Sequence, residues 1–265
     1  MTIAAGFVHS GGVLLCADSE MEAPGLKSVG RKIGTIVKEW GSVACGIAGN
    51  VDYATCAFQA LTRECDQQEL DIGDIEEILS NFYKEHAFGH PHYASYPDSI
   101  KYSLLLAVQF IGEMPKLYVT NETILREVTT YRCEGIGKDV GHSVLKPLWR
   151  PDMEAEQVMR LGAYMLAIVK THVPGCGGPS QFVNIPTLGF PGQIESPKTL
   201  QIENVFGWFD QTSSEFLLQH MCDSDEEFET HLSGLSKAAR HIRELWKDRV
   251  TQANQEYLQS AKRGQ

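Results

Sequence analysis

The sequence has no apolar run long enough to cross a membrane and no excess of positive charge. The predominantly apolar stretch Leu104–Ile111 covers only eight residues, whereas a membrane-spanning helix needs about 20. Acidic residues number 34 against 23 basic ones, a net charge of −11, which disfavours surfaces that bind nucleic acids or anionic membranes. The chain start also lacks the basic segment and cleavage site of a signal peptide. We therefore predict a cytoplasmic protein that binds neither nucleic acid nor membrane.

Motifs for disulfides and metals are missing as well. The seven cysteines are an odd number and form no CxxC pair, and several, such as Cys16, Cys45 and Cys56, lie within apolar segments. Buried free thiols are therefore the better interpretation. Three histidines, His86, His90 and His92, lie close together beside Glu85. Because no second cluster of ligands accompanies them, a solvated loop is favoured over a metal site.

The order of predicted elements indicates the fold class. Apolar alternation and turn residues predict strands, and apolar residues at three- and four-residue steps predict helices. Strands are expected at 2–9, 12–19, 31–38, 41–49, 102–111, 115–121, 123–129, 131–137, 181–189 and 199–205, and helices at 50–65, 71–86, 138–149 and 152–173. This order, in which helix pairs separate groups of strands, differs from the strict alternation of a parallel sheet. We predict an α+β fold, a four-layer αββα sandwich.

The C-terminal segment has a different pattern. Ser224 and Glu227 form a capping box, and apolar residues from Phe228 to Trp246 follow at helical spacing. We predict a long C-terminal helix that packs on the core of this chain or on a neighbouring subunit. The expected domains are a core at 1–205 and a helical extension at 206–265.

Four positions in the first fifty residues carry the candidate chemistry. Thr2 follows the start methionine and becomes N-terminal once Met1 is removed. Asp18 ends the second predicted strand in "ADS", Lys32 opens the third in "RK", and Gly49 ends the fourth in "AGN".

In these residues the sequence resembles the proteasome β-type family of N-terminal-nucleophile (Ntn) hydrolases. The resemblance implies the αββα layout over about residues 1–205 and catalytic roles for Thr2, Asp18, Lys32 and Gly49. It further implies a threonine-type peptidase in a self-compartmentalised homo-oligomeric ring, whose substrates are peptides or unfolded proteins. No metal or organic cofactor is implied, and an ATPase partner is compatible with it.

The residue types suit this chemistry on physical grounds. An α-amine on the same residue as a hydroxyl can accept the hydroxyl proton near neutral pH. A neighbouring Lys32 ammonium would lower the pKa of that amine, and Asp18 would hold Lys32 in its charged form. The backbone N–H of Gly49, at a strand-to-helix junction, can face a developing oxyanion because no side chain blocks the approach.

Two segments depart from the pattern of active relatives. Ile136 in "EGIGKD" and Val173 and Cys176 in "THVPGCGG" occupy places where those relatives carry serine or aspartate. A thiol donates hydrogen bonds poorly. The sequence therefore leaves open a weak peptidase, a non-catalytic structural subunit of a proteasome-like ring, and an Ntn amidase that acts on a small amide.

Overall fold

The computed structural model describes residues 2–23, 26–91, 95–96 and 100–194, together with separate residues and short runs between 203 and 240. The chain divides into two compact units, Met1–Ile202 and Glu203–Gln265. The domain boundary predicted after residue 205 stays a prediction. In the second unit, residues 203–207 are helical.

The first unit contains strands and helices in groups, as the apolar patterns predict. The helices are α1 (Val51–Cys65), α2 (Ile72–Phe82), which continues as a π-helical segment over Tyr83–Phe88, α3 (Lys138–Leu145) and α4 (Ala155–His172). The strands are β1 (Ile3–His9), β2 (Gly12–Ala17), β3 (Glu20–Ala23), β4 (Leu26–Val29), β5 (Ile33–Lys38), β6 (Gly41–Gly49), β7 (Tyr102–Phe110), β8 (Lys116–Asn121), β9 (Ile124–Val128), β10 (Tyr131–Gly135), β11 (Gln181–Pro186) and β12 (Gly192–Ile194).

All strand pairs within the described residues are antiparallel. One five-stranded sheet has the order β10-β1-β2-β11-β12, and the other has the order β5-β6-β7-β8-β9. The hairpin β3–β4 forms a separate two-stranded sheet. The hairpin β1–β2 turns tightly, with His9 opposite Gly12 and Ala4 opposite Ala17. Thr2, which precedes β1, and Asp18, which follows β2, therefore lie side by side at the open end of this hairpin.

Apolar side chains fill the spaces between these elements. The two large sheets face each other through a buried cluster that includes Val13, Leu15, Ala44, Leu105 and Val183. The opposite face of the second sheet packs on α1 and α2, whose Leu61 and Ile75 are buried there. Helix α4 contacts β1 and β2 of the first sheet. Strands buried on both faces explain why β2 and β7 read as nearly continuous apolar runs.

This architecture corrects the predicted fold class. A four-layer αββα sandwich with a long C-terminal helix has two sheets, whereas the described residues form a mixed α/β structure with three antiparallel sheets. The third sheet, β3–β4, occupies the segment between the strands predicted at 12–19 and 31–38, where no strand was predicted. Local turn residues do not distinguish a loop from a hairpin whose arms are only four residues long.

Other expectations also fail or fall outside the described residues. The strand predicted at 199–205 is wrong at 203–205, where the backbone is helical, and its residues 199–202 lie outside the description. Most of the predicted C-terminal helix, including Glu227, Phe228 and Trp246, lies outside it as well. Cys56 is exposed rather than buried, while Cys16, Cys45, Cys65, Cys133 and Cys176 are buried, and none of these six described cysteines forms a disulfide. Within the described part of the chain, no helix combines the length and apolarity that crossing a membrane requires.

Candidate active site

The β1–β2 hairpin places Asp18 beside the start of the chain. The Asp18 amide donates to the Ile3 carbonyl at 3.2 Å, and the Ile3 amide donates back to Asp18 Oδ1 at 3.0 Å. Thr2 Oγ1 donates to the same oxygen at 2.7 Å. The hairpin register thus fixes both the backbone and the side chain of Asp18 against Thr2.

Lys32 joins this pair from the other large sheet. Lys32 lies just before β5, and its Nζ donates to Asp18 Oδ1 at 2.8 Å. Thr2 and Lys32 are each 1% exposed, and Asp18 is 0% exposed. The Thr2 hydroxyl and the Lys32 ammonium therefore occupy neighbouring positions around one buried carboxylate oxygen. The resemblance stated from the sequence implied catalytic roles for these three residues, and those roles stay predictions.

A turn after α4 completes the surroundings of the Asp18 carboxylate. The Gly177 amide donates to Asp18 Oδ2 at 3.0 Å. The Gly177 carbonyl in turn accepts from the amides of Ser19 and Glu20, at 3.1 and 3.0 Å. Both carboxylate oxygens consequently accept hydrogen bonds, which is the arrangement that a buried charge requires.

Burial and charge act on Lys32 in opposite directions. Removal from water lowers the pKa of Lys32 from its ordinary value of 10.5, because it disfavours the ammonium. The charge of Asp18 and its hydrogen bond oppose that shift, and Cys176 and Glu20 contribute in the same sense. Cys176 is itself buried, and burial raises the pKa of its thiol to about 11. The thiol therefore stays protonated at neutral pH.

The carbonyl group of Thr2 is held by the segment that follows β10. The Gly137 amide donates to it at 3.4 Å. Ile136, at the place where the sequence departs from active relatives, has 51% of its surface exposed. This segment therefore contacts Thr2 through its backbone, and the exposed Ile136 side chain offers no hydroxyl or carboxylate.

Gly49 lies at the end of β6, where the chain turns into α1. Its φ of +83° is one that glycine adopts without strain, and the Asn50 side chain caps α1 by accepting from the Tyr53 amide at 3.1 Å. Strand β6 reaches Lys32 two residues earlier, since the Ile47 amide donates to the Lys32 carbonyl at 2.9 Å. The proposed oxyanion role of Gly49 stays a prediction.

Sequence reasoning did not assign the Gly177 amide to this site. The glycines of "GCGG" were visible, but their contact with Asp18 spans 159 positions, and no local pattern predicts such a contact.

The structure also bears on the histidine cluster. Among the residues it describes, no three His, Cys, Asp or Glu side chains come together as metal ligands, and His92 lies outside the described residues.

Comparisons with known proteins place the fold among Anbu proteins. No protein-family model matches the sequence, and no curated protein matches it significantly. Anbu (ancestral beta-subunit) from Yersinia bercovieri superposes with a TM-score of 0.67 at 18% identity, covering 82% of this chain and 97% of that one. Anbu from Hyphomicrobium sp. strain MC1 gives 0.64 at 18%, covering 81% and 97%. Anbu from Pseudomonas aeruginosa, described as a helical assembly, gives 0.67 at 15%, covering 84% and 98%.

These comparisons correct the resemblance stated from the sequence. The structural neighbours are Anbu proteins, described as ancestral β-subunits, and they are distinct from the proteasome β-type subunits that the motifs suggested. The assignment to the proteasome β-type family is therefore wrong. With identities of 15–18%, the likeness establishes the fold, and activity has to be argued from the site itself.

Proposed function

We propose that this chain is a subunit of a homo-oligomeric hydrolase that cleaves peptide bonds through the hydroxyl of Thr2, after removal of Met1. One observation carries the proposal: Thr2 Oγ1 and Lys32 Nζ are both bonded to the buried Asp18 Oδ1, at 2.7 and 2.8 Å. A hydroxyl beside an ammonium, on the residue that directly follows Met1, is the arrangement that nucleophilic catalysis by an N-terminal threonine requires.

The proposed reaction uses the α-amine of Thr2 as its base. Thr2 Oγ1 attacks the substrate carbonyl carbon, and its proton passes to the amine. The C–N bond then breaks, the leaving amine takes that proton, and water hydrolyses the resulting ester. Lys32 stabilises the negative charge that develops at Oγ1, Asp18 orients Lys32, and the Gly49 amide donates to the oxyanion.

Assembly of several copies of this chain is the second part of the proposal. The helical assembly described for Anbu from P. aeruginosa supports it, since that protein shares the fold along most of its length. A ring and a helical array both remain compatible with the proposal. Light scattering after size exclusion measures the number of copies.

Covalent labelling tests the nucleophile. Intact mass first establishes that Met1 is absent from the purified protein. A peptide epoxyketone is then expected to add once to the wild-type chain and to Thr2→Ser, which keeps the hydroxyl and the amine, and not to Thr2→Ala. Full retention of Met1, or an adduct that persists in Thr2→Ala, contradicts the proposed nucleophile.

A non-catalytic subunit of the same assembly is the second candidate. The protonated Cys176 thiol and the exposed Ile136 favour it, because neither supplies the polar support expected near an active threonine. An assembly that forms normally but yields no adduct would support this candidate. If adducts form, parallel panels of peptides and small amides distinguish a peptidase from an amidase.

A further inference from the structure

We propose that Gln181 is a positioning residue that fixes the backbone of Lys32 and thereby aims its ammonium at Asp18. This inference rests on the proposed function and deepens it. Gln181 Oε1 accepts from the Lys32 amide at 2.9 Å and from the Ile33 amide at 3.2 Å. Its Nε2 donates to the Gly30 carbonyl at 2.7 Å. One amide side chain therefore satisfies three backbone groups around Lys32.

Lys32 needs such a partner because of its place in the sheet. It precedes β5, which is an edge strand of the second sheet. On its β6 side the Lys32 carbonyl accepts from the Ile47 amide, but the outer side of an edge strand has no neighbouring strand to bond its amides. The Gln181 side chain supplies an acceptor there for the amide of Lys32 and for that of Ile33, the first residue of β5.

The backbone of Gln181 also lies beside the segment that carries Asp18. In the first sheet Gln181 lies opposite Ala17, the residue that immediately precedes Asp18. Its side chain crosses to the start of β5 in the second sheet. Gln181 therefore links the end of β2, which Asp18 follows, to the start of β5, which Lys32 precedes, through strand pairing on one side and its own side chain on the other.

Two substitutions separate the bonds that Gln181 makes. Gln181→Met keeps the length of the side chain and removes all three hydrogen bonds. Gln181→Glu keeps an oxygen that can accept from the two amides, loses the donation to Gly30 and adds a negative charge. Gln193→Met, on the neighbouring strand β12 and exposed, is the matched control.

The first measurement follows hydrogen exchange of the Lys32 and Ile33 amides and needs no activity. We expect exchange at both amides to accelerate in Gln181→Met, and to stay near the wild-type rate in Gln181→Glu and Gln193→Met. Unchanged exchange in Gln181→Met would overturn the proposal. This measurement tests the bonds from Gln181 to the Lys32 and Ile33 amides even if the wild-type protein never reacts with an epoxyketone. Such a lack of reaction would refute the proposed function alone.

The second measurement follows the rate of epoxyketone addition to Thr2 against pH. Loss of a supporting residue usually slows a preorganised site by about ten- to a hundredfold. We expect such a slowing in Gln181→Met with a shifted pH profile, because Lys32 faces Asp18, Glu20 and Cys176 and its displacement changes those interactions. Gln181→Glu should recover most of the rate. A wild-type rate and pH profile in Gln181→Met, together with faster exchange, would reduce Gln181 to a purely structural residue and contradict the inference.

Discussion

Asp18→Asn tests the buried ion pair on which the candidate site depends. The substitution removes the charge that balances Lys32 while it preserves the size of the side chain. Asparagine also has one acceptor oxygen in place of two. Its NH2 group must therefore face either the Gly177 N–H or the donors of Thr2, Ile3 and Lys32. In both orientations a hydrogen-bond donor faces another donor.

The magnitude follows from the burial of both partners. Neither side chain of the Lys32–Asp18 pair has exposed surface. Removing one partner of such a pair typically destabilises a protein by about 3–5 kcal/mol, since an uncompensated charge stays buried. Most domains are stable by only about 5–15 kcal/mol. We therefore expect the unfolding midpoint of Asp18→Asn in urea to fall markedly at pH 7, at matched protein concentration.

The pH dependence has a defined sign. Burial already lowers the pKa of Lys32 below 10.5, and loss of the Asp18 charge should lower it further. Between that lowered pKa and 10.5 the unfolded chain binds more protons than the folded chain, so the stability of Asp18→Asn relative to wild type rises with pH. The deficit in free energy of unfolding should consequently be smaller at pH 9.5 than at pH 7.

An exposed ion pair provides the control. Lys116 and Glu127 lie 3.6 Å apart with side chains 49% and 45% exposed, and such pairs contribute about 0–1 kcal/mol. Glu127→Gln should leave the unfolding midpoint nearly unchanged at both pH values. The reasoning is refuted if Asp18→Asn loses no more than Glu127→Gln at pH 7, or if its deficit is the same at pH 9.5.

Three further predictions concern other parts of the chain. Gly49→Ala should lower the urea unfolding midpoint more than Gly112→Ala does. Both glycines have φ near +80°, where an alanine costs about 1–2 kcal/mol. Of the two, only the alanine at position 49 would bring its Cβ against a backbone carbonyl oxygen, at 2.6 Å. Burial lowers the pKa of His9 below 6.5, so wild-type stability should fall relative to His9→Gln as pH drops through 6.5; parallel curves would disprove this. A thiol reagent should label exposed Cys56 in the native protein and spare buried Cys45, as peptide mapping can verify.

The part of the site that the sequence predicted depends on short-range geometry. Thr2 and Asp18 flank two strands joined by a tight turn, so an apolar pattern and two glycines suffice to bring their ends together. Lys32 opens the next long strand, and its separation from Asp18 is only 14 positions. The hairpin β3–β4 lies between them in sequence and they belong to different large sheets, so their contact was implied by the resemblance and not by the strand pattern.

The groups that the sequence missed come from far along the chain. Gln181 bonds to the Lys32 amide across 149 positions, and the Gly177 amide reaches Asp18 across 159. Such contacts depend on which strands become neighbours in the sheet, here β2 and β11, and no local signal fixes that choice. The family assignment failed for a related reason: it relied on four short motifs in the first fifty residues, and motifs this short do not specify a family.

The burial of Asp18 and Lys32 is itself informative about function. Buried ion pairs contribute little net stability, because removing two charges from water offsets much of their attraction, and apolar pairs of similar volume are often as stable or more so. The fold nevertheless directs a hydroxyl, two backbone amides and an ammonium onto the Asp18 carboxylate. Stability alone does not account for a lysine held there. Its place beside Thr2 is accounted for if the ammonium acts on the Thr2 hydroxyl.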